Sequence, residues 1–242
     1  MKQPRPEHRP FAFAELISGK YFWLMTSMLL MVLLAPLMRG NVTGRIITEA
    51  ANTFVLIAAL YAILRSHRPV VIAVLMILPA ALLKSFLNNE TDPAPGGVVV
   101  MHLLLMGFLV YMMLMILVDV LSEKKVTTDT IKGAVCVYLF MGLFWAMAYS
   151  LCAFFDPNAF QVTAGVDYEV AEMAFHRDGF SQTVYFSLVT LTTLGYGDIT
   201  PHSSLARSLA ALEAVVGQIY LIVLVARLVG MHISVTPESQ SK

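Results

Sequence analysis

The sequence is divided into long apolar blocks that short polar stretches separate. Six blocks approach or exceed the roughly 20 residues that a helix needs to cross the hydrocarbon layer of a bilayer. We place these helices at Tyr21–Met38, Ile46–Leu64, Val70–Leu87, Val98–Val118, Gly133–Phe155 and Leu205–Met231. The pattern predicts an all-α membrane protein with six transmembrane helices.

The composition agrees with this prediction. Of the 242 residues, 58% are hydrophobic and 13% are charged, whereas about a quarter of the residues in ordinary soluble domains are charged. The formal net charge is zero, so nothing indicates nucleic acid as a partner. Cys136 and Cys152 lie in one apolar block, where we expect them to pack as small hydrophobic residues.

A shorter apolar stretch, Ser181–Leu191, directly precedes the heptapeptide TTLGYGD at Thr192–Asp198. The stretch is too short to cross a membrane, and it has no charged face that would favour the membrane surface. Non-helical backbone at membrane depth is tolerated only where it is buried in protein or lines water. We therefore predict a re-entrant half-helix whose chain returns through an extended strand, and whose C-terminal carbonyls favour a cation.

Within the heptapeptide, Gly195 and Gly197 flank Tyr196. Glycine adopts positive φ at little steric cost, so this strand can alternate its backbone handedness and aim successive carbonyls to one side. Such a row of carbonyls can replace the water shell of a bare cation. The ordinary alternative is a glycine-rich turn in a surface loop.

These features together resemble the pore module of potassium channels, which consists of an outer helix, a pore helix, a TTLGYGD filter and an inner helix. With four helices in front, the chain resembles the six-transmembrane tetrameric potassium channels in a small prokaryotic form. The resemblance implies a homotetramer in a lipid bilayer, because one filter strand cannot enclose an ion. It also implies K⁺ as the permeant ion, with no cofactor and no enzymatic activity.

The resemblance assigns roles to single filter residues. It implies that Thr193 contributes a hydroxyl and a carbonyl to the innermost K⁺ site, and that the carbonyls of Leu194, Gly195 and Tyr196 line the sites above. Gly197 then closes the strand. The residues that we expect to support the filter are Thr192, Asp198 and Tyr185.

Three positions depart from the family pattern. Leu194 stands where valine is commoner, although its carbonyl still faces the ion. Val189 stands where some relatives have a carboxylic acid beside the filter aspartate, so Asp198 needs another partner, and we propose Tyr185. Val98–Val118 lacks the arginines of voltage-gated relatives. A charge crossing the field contributes roughly 2.3 kcal/mol per 100 mV, so we expect no steep voltage gating.

On the inner helix, Gly217 falls where this family carries its flexible glycine, and it serves as the predicted hinge. Leu221, Val225 and Val229 follow at spacings of four and share one helical face. We predict that they line the cavity and its cytoplasmic mouth as a constriction, and Gln218 is the polar candidate for the cavity. A lipid-facing stripe is the alternative.

Three titratable residues are candidates for regulation. Glu213 places a carboxyl group at membrane depth, and an ionisable group there is by default a candidate for a functional role. The structural alternative is a hydrogen bond from Glu213 to the pore helix, at Thr190 or Ser187. His176 and His202 lie on the outer side and are candidates for sensitivity to external pH.

Lysine and arginine are more frequent on the side that holds the N-terminus, which predicts that both termini are cytoplasmic. The predicted location is the cell (inner or plasma) membrane, which the chain crosses several times. The predicted divisions are a cytoplasmic N-terminal segment (1–20), a four-helix peripheral domain (21–118), a cytoplasmic linker (119–132), a pore domain (133–231) and a short cytoplasmic tail (232–242).

The sequence therefore predicts a potassium-selective channel that conducts K⁺ passively. One alternative is a weakly selective monovalent cation channel. The other is a potassium uptake transporter, which needs four pore loops in one chain or inverted repeats.

Overall fold

The computed structural model describes residues 19–34, 42–62, 67–87, 95–123, 125–163 and 179–234. Most of the predicted N-terminal segment and tail, together with His176, lie outside these residues. The elements in chain order are α1 (Phe22–Leu34), α2 (Val42–Ala62), α3 (His67–Leu87), α4 (Pro95–Ser122), α5 (Thr128–Phe155), β1 (Phe160–Val162), α6 (Gly179–Leu191), β2 (Ile199–Pro201) and α7 (Ser204–Ser234).

Three of the described helices, α4, α5 and α7, are long and apolar enough to cross a membrane. The apolar parts of α2 and α3 are shorter, at Thr53–Ala62 and Val71–Leu83. Helix α1 has 13 residues, which corresponds to about 20 Å at the helical rise. A predominantly helical protein with three candidate spans is thus established, and the full set of six spans stays a prediction.

Helices α4 and α5 both extend into the stretch that we predicted to be a linker at 119–132. Helix α4 continues to Ser122 and α5 begins at Thr128, so the connection is reduced to residues 123–127. The start of α5 is fixed by a capping box. The backbone N–H of Thr130 donates to Thr127 Oγ1 at 3.1 Å, and the N–H of Thr127 donates to Thr130 Oγ1 at 3.4 Å.

Helix α5 is the centre of the fold. It packs against α1, α4, α6 and α7, while α2 packs on α1 and α3 packs on α4. Helix α6 lies between α5 and α7, and contributes to both of the larger apolar clusters. Helix α5 is largely buried, whereas α7 leaves most of its surface exposed.

Strands β1 and β2 form an antiparallel pair that the sequence did not predict. Phe160 pairs with Pro201, Gln161 with Thr200, and Val162 with Ile199. Three-residue strands are too short to show the alternation of apolar and polar residues that indicates a strand. The first residues after α5 therefore pair with the chain that leaves the TTLGYGD heptapeptide.

Candidate functional site

Helix α6 ends in a way that turns the chain directly into the heptapeptide. The N–H of Leu194 donates to the Val189 carbonyl at 2.9 Å, and the N–H of Thr193 donates to the Thr190 carbonyl at 2.9 Å. Thr193 has a φ of 58°. These two bonds around a left-handed residue form a Schellman motif, which satisfies carbonyls at the end of a helix.

The last carbonyl of α6, that of Leu191, is bound by α5 and lies close to α7. Tyr138 Oη on α5 donates to it at 3.0 Å. Gly217 on α7 lies so close that a Cβ added there would be 2.9 Å from the Leu191 oxygen. Gly217 thus lets α7 cross the end of α6 at short range. Helix α7 runs through this position without a break, so a hinge at Gly217 stays a prediction.

The heptapeptide has the alternating backbone that we expected from its glycines. Positive φ values occur at every second residue: 58° at Thr193, 58° at Gly195 and 78° at Gly197. Glycine accepts this conformation readily, whereas Thr193 does so at a cost of roughly 1–2 kcal/mol. In the single chain, Leu194 and Tyr196 are exposed by 55% and 67%.

Asp198 is held from the side of α6. Tyr185 Oη donates to Asp198 Oδ2 at 2.6 Å, and the N–H of Ile199 donates to Asp198 Oδ1 at 3.0 Å. The pairing of Tyr185 with Asp198 that we predicted from the sequence is therefore confirmed. Both carboxyl oxygens have a donor, so the side chain has a fixed orientation behind the strand.

Thr163, the residue that follows β1, binds the C-terminal end of the heptapeptide. Thr163 Oγ1 donates to the Gly197 carbonyl at 3.1 Å. The N–H of Thr163 donates to the Asp198 carbonyl at 2.9 Å. Sequence reasoning missed Thr163, since it lies in a polar stretch without a motif.

Glu213 is completely buried between α5, α6 and α7. Its Oε1 lies 2.5 Å from Ser187 Oγ, and Tyr149 Oη donates to its Oε2 at 2.5 Å. The hydrogen bond to Ser187 is one of the two that we predicted, and Thr190 is not the partner. The contact with Tyr149 was not predicted. A regulatory role for Glu213 stays a prediction.

The other predicted site residues lie on α7 and beside β2. Val225 and Val229 are exposed in the single chain, whereas Gln218 and Leu221 are half-buried. His202 is exposed, and its N–H donates to the Ala159 carbonyl at 2.8 Å. Thr192 donates its hydroxyl to the Leu188 carbonyl at 2.7 Å. The cavity, pH-sensing and filter-support roles stay predictions.

The hydrogen bonds at the C-terminal end of α4 were not predicted. Arg227 donates from Nη2 to the carbonyls of Leu121 and Glu123, where α4 ends. Lys20 Nζ and Tyr21 Oη both bind Asp119 Oδ2, at 2.5 Å and 2.7 Å. These bonds connect the end of α4 to α7 and to the start of α1.

Comparison with known proteins gives one match. Residues 137–233 match a family model described as "Ion channel", and this region contains most of α5, all of α6, the heptapeptide and nearly all of α7. Searches of curated proteins and of solved structures found no match. The family match supports an ion-channel family and suggests a channel rather than an enzyme, and together with the apolar helices it supports a membrane protein.

Proposed function

We propose that this protein is a potassium-selective channel in which Thr193–Gly197 of four subunits form the selectivity filter. The observation that carries the proposal is the positive φ at Thr193, Gly195 and Gly197. This backbone lies between the capped end of α6 and the anchored Asp198, inside the region that matches the ion-channel family.

In the proposed mechanism, the carbonyl oxygens of Thr193, Leu194, Gly195 and Tyr196 replace the water around K⁺. The ion passes from one site to the next down its electrochemical gradient, and repulsion between neighbouring ions drives it forward. The C-terminal end of α6 places its partial negative charge next to the inner end of this path. Helix α6 has 13 residues, about 20 Å, which suits a re-entrant helix in a layer of about 30 Å.

The exposed face of α7 supports a homotetramer. One stripe of large apolar side chains is more than half exposed in the single subunit, at Leu205, Leu212, Val215, Ile219 and Ile222. The spacing alternates between three and four residues through Leu212, Val215, Ile219 and Ile222, which is the pattern of a seam between packed helices. Closed cyclic symmetry then brings four exposed filter strands around one axis.

Helix α4 carries no charged lever for steep voltage gating in this proposal. Helix α4 contains no lysine or arginine between Pro95 and Ser122. Its buried His102 lies 3.2 Å through Nε2 from Ser150 Oγ on α5. In the proposed channel, Gly217 provides the hinge, and Gln218, Leu221, Val225 and Val229 line the cavity and its cytoplasmic mouth. The protein lies in the cell membrane, and both of its termini are on the cytoplasmic side.

The test is a planar-bilayer recording of the purified full chain with K⁺ and Na⁺ on opposite sides. We expect unitary current steps and a reversal potential far from zero, with the sign that a K⁺-selective pore requires. A reversal potential near zero would indicate a weakly selective cation channel, and saturating flux without unitary steps would indicate a transporter.

Gly195→Ala is the diagnostic variant. Within one chain, a Cβ at Gly195 meets no atom within 4 Å, so there the substitution acts through the left-handed φ rather than through a clash. We expect it to abolish K⁺ selectivity or conduction. Gly96→Ala is the matched control, since Gly96 also has open space but no positive φ. An unchanged K⁺/Na⁺ permeability ratio in Gly195→Ala would contradict the assigned role.

A further inference from the structure

The β1–β2 pair lies beside the chain that leaves the proposed filter, and its backbone ladder extends beyond the two strands. At one end, the N–H of His202 donates to the Ala159 carbonyl at 2.8 Å. At the other end, the N–H of Thr163 donates to the Asp198 carbonyl at 2.9 Å. The ladder therefore reaches the last residue of the heptapeptide.

Strand β1 is fixed in the core. Phe160 is buried, and its ring centroid lies 5.7 Å from that of Tyr149 on α5 and 5.2 Å from that of Phe186 on α6. Both contacts are edge-to-face, the arrangement that aromatic pairs prefer. Ile199 on the partner strand is buried as well. The position of Thr163 is thus set by the same two helices that hold the filter.

The Thr163 hydroxyl binds the carbonyl of Gly197, the last glycine of the heptapeptide. Gly197 has a φ of 78°, and a Cβ added there would meet no atom within 4 Å. Tyr185 fixes the carboxyl group of Asp198 but not the Gly197 carbonyl. Among the described residues, the Thr163 hydroxyl is the side-chain donor to this carbonyl, at 3.1 Å.

We propose that Thr163 is a positioning residue that holds the Gly197 carbonyl toward β1, so that the row of ion-facing carbonyls ends at Tyr196. This inference rests on the proposed channel function. Without the hydroxyl, the Gly197 peptide can rotate, because glycine has few steric limits. The outer end of the filter then has a second arrangement, with the peptide rotated, that does not conduct. Because K⁺ binds the conducting arrangement, bound K⁺ stabilises that arrangement by mass action.

The experiment compares the wild type with three variants in planar bilayers while external K⁺ is lowered. T163V keeps the shape of the side chain without the donor, and T163S keeps the donor. T200V is the matched control, because Thr200 Oγ1 lies on β2 and contacts the Gln161 carbonyl at 3.4 Å instead of the filter. We expect the T163V current to decay about fivefold faster, the factor that corresponds to one neutral hydrogen bond. T163S and T200V should decay like the wild type.

A second measurement separates positioning from stability. We expect K⁺ to raise the temperature at which the assembled wild type dissociates, relative to Na⁺, and T163V to lose part of this K⁺-specific increase with an unchanged midpoint in Na⁺. In the recordings, the inference is overturned if the T163V current decays like the wild type, or if the T200V current decays as fast as that of T163V. In the dissociation measurement, it is overturned if T163V loses equal stability in K⁺ and in Na⁺, or if T163V does not assemble. A wild type without K⁺-selective current overturns the channel function as well, whereas a selective wild type with an unaffected T163V overturns this inference alone.

Discussion

Ser187 and Glu213 are joined by an Oγ–Oε1 distance of 2.5 Å, and the same Ser187 Oγ lies 2.7 Å from the Gly142 carbonyl oxygen. A serine hydroxyl has one hydrogen to donate, so it cannot satisfy both acceptors. All of the short contacts are satisfied if Glu213 carries a proton. Glu213 then donates to Ser187, Ser187 donates to Gly142, and Tyr149 donates to the other carboxyl oxygen. The geometry therefore favours a neutral Glu213 that connects α5, α6 and α7.

Glu213→Gln should preserve this connection, because a neutral amide can donate to Ser187 and accept from Tyr149. Glu213→Ala should lower the thermal midpoint of the assembled protein clearly, since each buried polar group left unpaired costs about 1–3 kcal/mol. Thermal unfolding in detergent measures both variants. An alanine variant as stable as the glutamine variant would show that the cluster does not hold the helices together.

Gly217→Ala should reduce stability by about 1–3 kcal/mol, the usual cost of inserting an atom into a packed contact. The added Cβ would lie 2.9 Å from the backbone oxygen of Leu191 and 2.7 Å from its Cδ1. The control is Gly230→Ala on the same helix, where a Cβ meets nothing within 4 Å. If Gly217 serves only as a hinge, the variant should instead keep or gain thermal stability, because alanine favours a helix.

Tyr185→Phe should weaken K⁺ selectivity or shorten openings, because it removes the 2.6 Å hydrogen bond to Asp198. A hydrogen bond to a charged group contributes about 1.5–3 kcal/mol, while the bond from Ile199 remains. The reversal potential and unitary open times measure the effect. The control is Tyr61→Phe, because the Tyr61 side chain is exposed on α2. Identical behaviour of both variants would remove Tyr185 from the filter support.

The open probability should change little between about −100 and +100 mV. Each gating charge would contribute roughly 2.3 kcal/mol per 100 mV, and α4 has no lysine or arginine. Single-channel recording over this range measures the dependence. A steep rise of open probability with voltage would show that charges elsewhere cross the field.

The sequence predicts those features that depend on local pattern or on strongly constrained chemistry. Apolar blocks locate each described helix. The carboxyl groups of Asp198, which is half-buried, and Glu213, which is buried, need donors, and this requirement led to Tyr185 and Ser187. Thr163, Tyr149 and Arg227 escaped prediction because their partners are distant in the chain and no periodicity marks them.

The arrangement of four subunits around the filter is the central claim, and a density map of the purified protein in potassium tests it most directly. We expect four copies around one axis, with a row of peaks on that axis beside the carbonyls of Thr193, Leu194, Gly195 and Tyr196. A monomeric particle, or a map in which this strand lies at the surface away from any axis, would contradict the account.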